Sequence, residues 1–218
     1  MNPIQAVLFD YGMVLSGPPD PAAWQRMRAI SDLSEEALHA GYWAYRHDYD
    51  RDTLNARAYW AHVASHAETT FTPEQINGLI AADLDLWGEL NPPMLTWAQS
   101  LQRAGVRTGI LSNIGDAMSE GLLARFDWLS AFNHCTWSYA LKLAKPEPAI
   151  YHAAAQGLAT SPANILFVDD RAENVEAARA TGMQAIQYSH ADHPAFEQEM
   201  RSLRLDYLLD PASSPTST

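Results

Sequence analysis

Ala6-Val7-Leu8-Phe9-Asp10-Tyr11-Gly12-Met13-Val14-Leu15 is the stretch that decides the fold. Four apolar residues run directly into a carboxylate, and a glycine follows two residues later. A short continuous apolar run reads as a strand buried on both faces. A carboxylate at its C-terminal end sits where open α/β sheets place their ligands. Asp10 is therefore a candidate site residue, although taken alone it reads equally well as an aspartate capping a loop.

Working outward, further apolar runs predict strands at Ile4–Phe9, Val106–Leu111, Cys135–Trp137, Ile165–Val168 and Gln184–Tyr188. Helical patterns separate them at Ala98–Ala104, Ala117–Phe126, Pro148–Gln156 and Glu173–Ala180. This alternation predicts an α/β fold, a Rossmann-like parallel sheet with helices on both faces. Gly105 and Gly182 follow alanine-rich helices and precede strands, as helix C-terminal caps do. From Ser16 to Leu90 the alternation stops, and Leu38, Tyr42, Tyr45, Tyr49, Ala58 and His62 recur at helical spacing. That stretch reads as an inserted all-helical domain, entered through Gly17-Pro18-Pro19 and left through Asn91-Pro92-Pro93, turn-rich connections suited to a hinge. The expected organisation is a core of residues 1–15 and 91–210, a helical domain of 16–90, and a small, polar, disordered tail at 211–218.

A chain of 218 residues, 47% hydrophobic, suits one well-buried core plus a smaller accessory domain. No run approaches the roughly 20 apolar residues that span a bilayer, and the N-terminus lacks a secretory pattern, so a cytoplasmic location is expected, with no membrane partner. The single Cys135 cannot form an internal disulfide and reads as a small core residue. A net charge of -12 disfavours nucleic acid, which needs a basic surface. A small phosphorylated substrate remains compatible, because a metal ion and one lysine reverse the local field.

Three further segments follow Asp10 in order: Leu111-Ser112-Asn113, Lys145-Pro146-Glu147-Pro148 and Val168-Asp169-Asp170, the last continued by Arg171-Ala172-Glu173-Asn174. The ordered set resembles the four active-site motifs of the haloacid dehalogenase superfamily, over nearly the whole chain from Ile4 to about Tyr188. The helical insertion after the first strand is similar to the cap domain of its type 1 members, which closes over the active site. The resemblance implies a hydrolase in which Asp10 is the nucleophile and forms an aspartyl-phosphate. It implies Mg2+ held by Asp10, the main-chain carbonyl of Gly12 and Asp170, with Asp169 in support and Asn174 bracing the metal loop. Adjacent carboxylates are tolerable beside such a hard cation. Ser112 and Asn113 would cradle the phosphate through a hydroxyl and main-chain N–H groups. Lys145 would offset the charge of nucleophile and substrate. It is preferred to Lys142, which stands where relatives often have glycine.

Gly12 departs from the pattern. Phosphatases of this superfamily usually carry a second aspartate there, as general acid and then general base. Losing a positioned acid costs on the order of 10²–10⁴ in rate. The Asp-x-Gly-x-Val variant resembles sugar-1-phosphate phosphatases, and implies a preference for good leaving groups such as anomeric sugar phosphates or acyl phosphates. Three readings stay open: a Mg2+-dependent phosphatase of a small phosphorylated metabolite; a 2-haloacid dehalogenase in which Asp10 displaces halide; and a weakly catalytic binding or regulatory protein. In the segment Tyr42–Arg51, either Tyr45, Arg46 and His47 face the cleft or the aromatics pack the insertion's own core. The same aromatics would serve a homodimer, and the oligomeric state is open.

Overall fold

The computed structural model describes residues 3–211. In chain order the elements are β1 (Ala6–Phe9), α1 (Pro21–Ser31), α2 (Glu35–Ala44), α3 (Arg46–Asp50), α4 (Ala56–His66), α5 (Pro73–Leu86), α6 (Pro92–Arg103), β2 (Arg107–Ser112), α7 (Asp116–Arg125), β3 (His134–Trp137), α8 (Ser138–Leu141), α9 (Pro148–Gly157), β4 (Ile165–Asp169), α10 (Ala172–Ala180), β5 (Gln184–Gln187) and α11 (His193–Ser202). The five strands form one sheet in the order β3-β2-β1-β4-β5, with every pairing parallel. The chain leaves β1 toward β2 and β3, then returns to the other side of β1 for β4 and β5. The change of direction opens a crevice at the C-terminal ends of β1 and β4.

Alternate residues of β1 go to opposite faces, as the two-residue period of a strand demands. Val7 and Phe9 join a core with Trp97 and Leu101 of α6, Leu122 of α7 and Phe196 of α11. Ala6 and Leu8 join another with Tyr151 and Ala154 of α9 and Val175 and Ala178 of α10. Phe9 is fully buried and meets Trp97 edge to face at 5.3 Å. Burial of such a ring contributes about 1.5–3 kcal/mol.

All five predicted strands are present, with ends shifted by one or two residues. Gly105 and Gly182 adopt φ of +78° and +93° after their helices, as left-handed caps require. The expected helix at Ala98–Ala104 begins earlier, at Pro92. The prolines read as a hinge form the first turn of α6, where a missing N–H costs nothing and the fixed φ already suits the helix. The α11 helix has no counterpart in the sequence reading. Cys135 is half-buried in β3, at the edge of the sheet, and packs against the outside of a core. Residues 212–218 of the expected tail lie outside the described residues.

Between Ser16 and Leu90 the structure is helical, α1 to α5, with a separate apolar cluster that includes Met27, Leu38, Tyr42, Tyr59, Trp60 and Leu79. Its entry and exit run beside each other. Ser16 and Leu90 form an antiparallel bridge, Gly17 N–H donates to Glu89 O (2.8 Å), and Asn91 N–H donates to Leu15 O (2.9 Å). Among the described residues no helix is long and apolar enough to cross a membrane.

Candidate active site

Asp10 follows the last residue of β1, and the chain then makes one wide turn over Tyr11–Leu15, closed by Ser16 N–H donating to Tyr11 O (2.7 Å). Asp10 Oδ1 accepts from Tyr11 N–H (2.7 Å) and pairs with Lys145 Nζ (2.8 Å). Its Oδ2 takes no hydrogen bond among the described residues. Burial, with Asp169 and Asp170 nearby, pushes the Asp10 carboxyl up from the usual carboxylate range, and Lys145 opposes the shift. Gly12 has φ of -62°, open to any residue, and a Cβ there would meet nothing nearer than Trp87 at 3.9 Å. The absence of a second aspartate is therefore chemical, and no steric demand enforces the glycine. Met13 takes the left-handed conformation at φ of 59°, on the cleft wall.

Lys145 lies buried between two carboxylates, 2.8 Å from Asp10 and 2.7 Å from Asp169. Burial works against its charge, but the two carboxylates outweigh it and hold the ammonium above the usual lysine value. Its backbone is clamped by Asn113, whose Oδ1 accepts from Lys145 N–H (2.8 Å) and whose Nδ2 donates to Lys145 O (2.9 Å). The Asn113 side chain is thereby committed to the lysine loop, and only its main chain remains to meet an anion. Ser112, at the end of β2, makes no side-chain hydrogen bond among the described residues and lines the cleft. Lys142 adopts φ of 57°, the conformation that favours glycine, and its exposed ammonium pairs with Asp52 (3.2 Å), away from the cluster.

Asp169 ends β4 with no exposure. Arg171 N–H (2.8 Å), Asn174 Nδ2 (3.0 and 3.1 Å) and Lys145 Nζ (2.7 Å) occupy its two oxygens. Asp170 is more open, and burial and the charge of Asp169 raise its carboxyl above the usual range. One oxygen each from Asp10, Asp169 and Asp170 lie within 4.8 Å of one another. Three carboxylates meet one ammonium there, an oxygen-only donor set that suits a hard divalent cation. With Asp169 occupied by protein donors, Asp10 and Asp170 are the residues left to hold it.

These residues open into a cleft of about 450 Å³. The helical segment supplies Trp43, Arg46, His47, Asp50 and Trp87 to its wall, and the core adds Ile114, Met118 and Arg171. Arg46 and His47 thus reach the cleft, but Tyr45 does not, because its ring packs against His62 (5.2 Å) and His66 (5.8 Å) within the insertion. Arg46 bonds Asp50 Oδ1 through Nε (3.2 Å) and Asp83 through Nη1 (3.1 Å), and stacks over Tyr42 and Tyr49. Asp50, Trp87 and Met118 were not singled out from sequence. Asp50 stands inside the charged aromatic segment at Tyr42–Arg51, whereas Trp87 and Met118 carry no local signal, because helical spacing alone marks them as core.

The family model for haloacid dehalogenase-like hydrolases matches residues 4–182. (S)-2-haloacid dehalogenase 1 of Pseudomonas sp. (strain CBS-3) is 27% identical over 89% of this chain and 88% of that protein. Phosphatase MT3486 of Mycobacterium tuberculosis (strain CDC 1551 / Oshkosh) is 27% identical over 84% of this chain and 86% of that protein. Among solved structures, the HAD family enzyme bt-2542 of Bacteroides thetaiotaomicron aligns with a TM-score of 0.76 and 18% identity, covering 92% of this chain and all of that one. The same enzyme has been solved in complex with magnesium and inorganic phosphate, at a TM-score of 0.68.

Proposed function

This chain belongs to the haloacid dehalogenase-like hydrolases, and from that premise we propose that it is a Mg2+-dependent phosphatase of a small phosphorylated metabolite, working through an aspartyl-phosphate on Asp10. The observation that carries this reading is the triad of carboxylates, Asp10, Asp169 and Asp170, within 4.8 Å of one another and served by the single ammonium of Lys145. Two like charges 4 Å apart repel by about 4 kcal/mol at an effective dielectric of 20. A divalent cation removes that burden. Displacement of halide from carbon has no use for one, which supports the phosphatase over the dehalogenase reading, although the chain has relatives of both kinds.

When bound, Mg2+ would neutralise charge on the transferring phosphoryl group and orient it. Asp10 attacks phosphorus and the leaving-group oxygen departs, after which water attacks the aspartyl-phosphate and frees inorganic phosphate. Lys145 stabilises the charge that gathers near Asp10, and the Ser112 hydroxyl with the Asn113 main-chain N–H receives the phosphate oxygens. Asp169 and Asn174 hold Lys145 and the loop of Asp170 in place. The turn after Asp10 carries no acid, which supports a preference for good leaving groups such as sugar 1-phosphates. The helical segment acts as a cap whose aromatic wall selects the substrate. A cytoplasmic metabolite, with no nucleic acid or membrane partner, completes the proposal, and the cap aromatics also suit a homodimer.

The test is release of inorganic phosphate from a panel of sugar phosphates, acyl phosphates and nucleotides, with Mg2+ and then with excess chelator. Metal-dependent release supports the proposal. Halide release from short 2-haloacids, unaffected by chelator and without any phosphate release, would replace it with the dehalogenase reading.

A further inference from the structure

Resting on the phosphatase reading, we infer that Asp50, contributed by the helical insertion, is the proton donor that the Asp10 turn lacks, protonating the leaving-group oxygen and then deprotonating the attacking water. Asp50 lies on the wall of the same cleft as Asp10, Ser112, Lys145 and Asp170. It is buried, and Arg46 Nε holds only one of its oxygens, Oδ1 at 3.2 Å. Among the described residues Oδ2 takes no hydrogen bond, and the residue lines the cleft. The residue is also tied to the core. Its main-chain oxygen accepts from the Ser138 hydroxyl at 2.5 Å, and its neighbour Arg51 pairs with Glu147 and donates to Lys142 O at 3.1 Å. These bonds join the turn that carries Asp50 to the core.

Outside the carboxylate cluster, the other proton donors on the wall are His47, which is exposed, Glu173, which is exposed and paired with Arg171, and Tyr11, whose hydroxyl donates to Trp87 O (3.0 Å). Burial pushes the Asp50 carboxyl up to about 6, against the pull of Arg46 and with support from Asp83. An acid in that range is part protonated near neutral pH, as a general acid needs to be. The charged groups acting on it are Arg46 and His47 of its own helix and Asp83 of α5, while α8 brings the uncharged Ser138 hydroxyl.

The balance closes over two steps. In the first, the bond from Asp10 oxygen to phosphorus forms, the bond to the leaving oxygen breaks, and the Asp50 proton passes to that oxygen. In the second, water attacks phosphorus, the acyl–phosphate link to Asp10 breaks, and the water proton returns to Asp50. Leaving groups that need no proton bypass the first transfer. Asp50 then governs how the enzyme treats alkyl phosphates, and the empty place at Gly12 marks a donor moved to the cap.

The experiment compares 4-nitrophenyl phosphate, whose leaving group needs no proton, with glucose 6-phosphate, whose alkoxide does. Asp50→Asn keeps the bond from Arg46 and removes the proton. Read as leaving-group release in a single turnover, so that the second step does not enter, the expected result is a fall of 10²- to 10⁴-fold on glucose 6-phosphate against less than tenfold on 4-nitrophenyl phosphate. The wild-type rate on glucose 6-phosphate should also fall above about pH 6, with that limb absent from the variant. Adding Gly12→Asp to Asp50→Asn should restore the ratio, which a merely misfolded cap would not allow. Equal losses on both substrates, or an unchanged ratio, would overturn the assignment. Asp10→Asn separates the underlying reading: phosphate release that survives it removes the aspartyl-phosphate itself, whatever Asp50 does.

Discussion

Lys145 is held at both ends, its backbone by the Asn113 amide and its ammonium by Asp10 and Asp169. Asn174 in turn fixes Asp169 with two bonds of 3.0 and 3.1 Å. Asn174→Ala should therefore lower kcat by about 10- to 100-fold with a smaller change in KM, measured as phosphate release at saturating Mg2+, because the supporting bond acts on the placement of Lys145 and the metal loop. At Gly12 the backbone is ordinary and a Cβ has room. In the Asp50→Asn background, Gly12→Asp should raise turnover of alkyl phosphates relative to aryl phosphates by 10-fold or more. No gain in that ratio would show that a carboxylate at this turn cannot reach the leaving-group oxygen. The position of Asp10 and Asp169 at strand ends was legible in the sequence, since each closes a short apolar run. The bidentate grip of Asn113 on Lys145 was not, because it joins residues 32 positions apart.

At the scale of elements, α3 is a helix of one turn whose Arg46 neutralises two buried carboxylates, Asp50 on its own turn and Asp83 on α5. Arg46→Met leaves Asp50 without a charge partner and Asp83 with only the Tyr42 hydroxyl (2.7 Å), and breaking a buried pair in this way costs about 3–5 kcal/mol, measurable by urea unfolding at pH 7. The loss should shrink as pH falls toward 5. An unpaired buried carboxyl has a folded pKa above its unfolded value, so the folded state binds the extra proton and stability falls as pH rises through that window. The same α3 turn sends Tyr49 against Gly115, where a Cβ would collide with the ring. Gly115→Ala should destabilise the protein by about 1–3 kcal/mol through overpacking. The helical spacing of Leu38, Tyr42, Tyr45 and Tyr49 announced helices in this region, yet it did not say that Tyr42 and Tyr49 turn inward while Tyr45 packs against histidines. Amphipathic periodicity marks a buried face, and the partner of that face is a tertiary matter.

For the whole molecule, the sheet order brings the ends of β1 and β4 together and with them three carboxylates around one lysine. Mg2+ should raise Tm by about 5–10 °C at a hundredfold excess over Kd, equivalent to about 2.7 kcal/mol for a domain of this size. Asp170→Asn should abolish most of that rise, as read by thermal unfolding with Mg2+ and with chelator. The insertion meets the core through Arg51 with Glu147, Lys142 with Asp52, Arg125 with Asp85 and Asp50 with Ser138. By itself the sequence determined the strands, most of the core helices, the helical character of 16–90 and the order of the four polar motifs, because period-2 and period-3.6 patterns and strand-end polarity are local properties. Only the tertiary structure decided that Asn113 serves Lys145, that Asp169 is filled by protein donors, and that Asp50 and Trp87 from the insertion share a cleft with Asp10. These are contacts between residues tens of positions apart, and such contacts exist only once strand order and helix packing have brought the segments together.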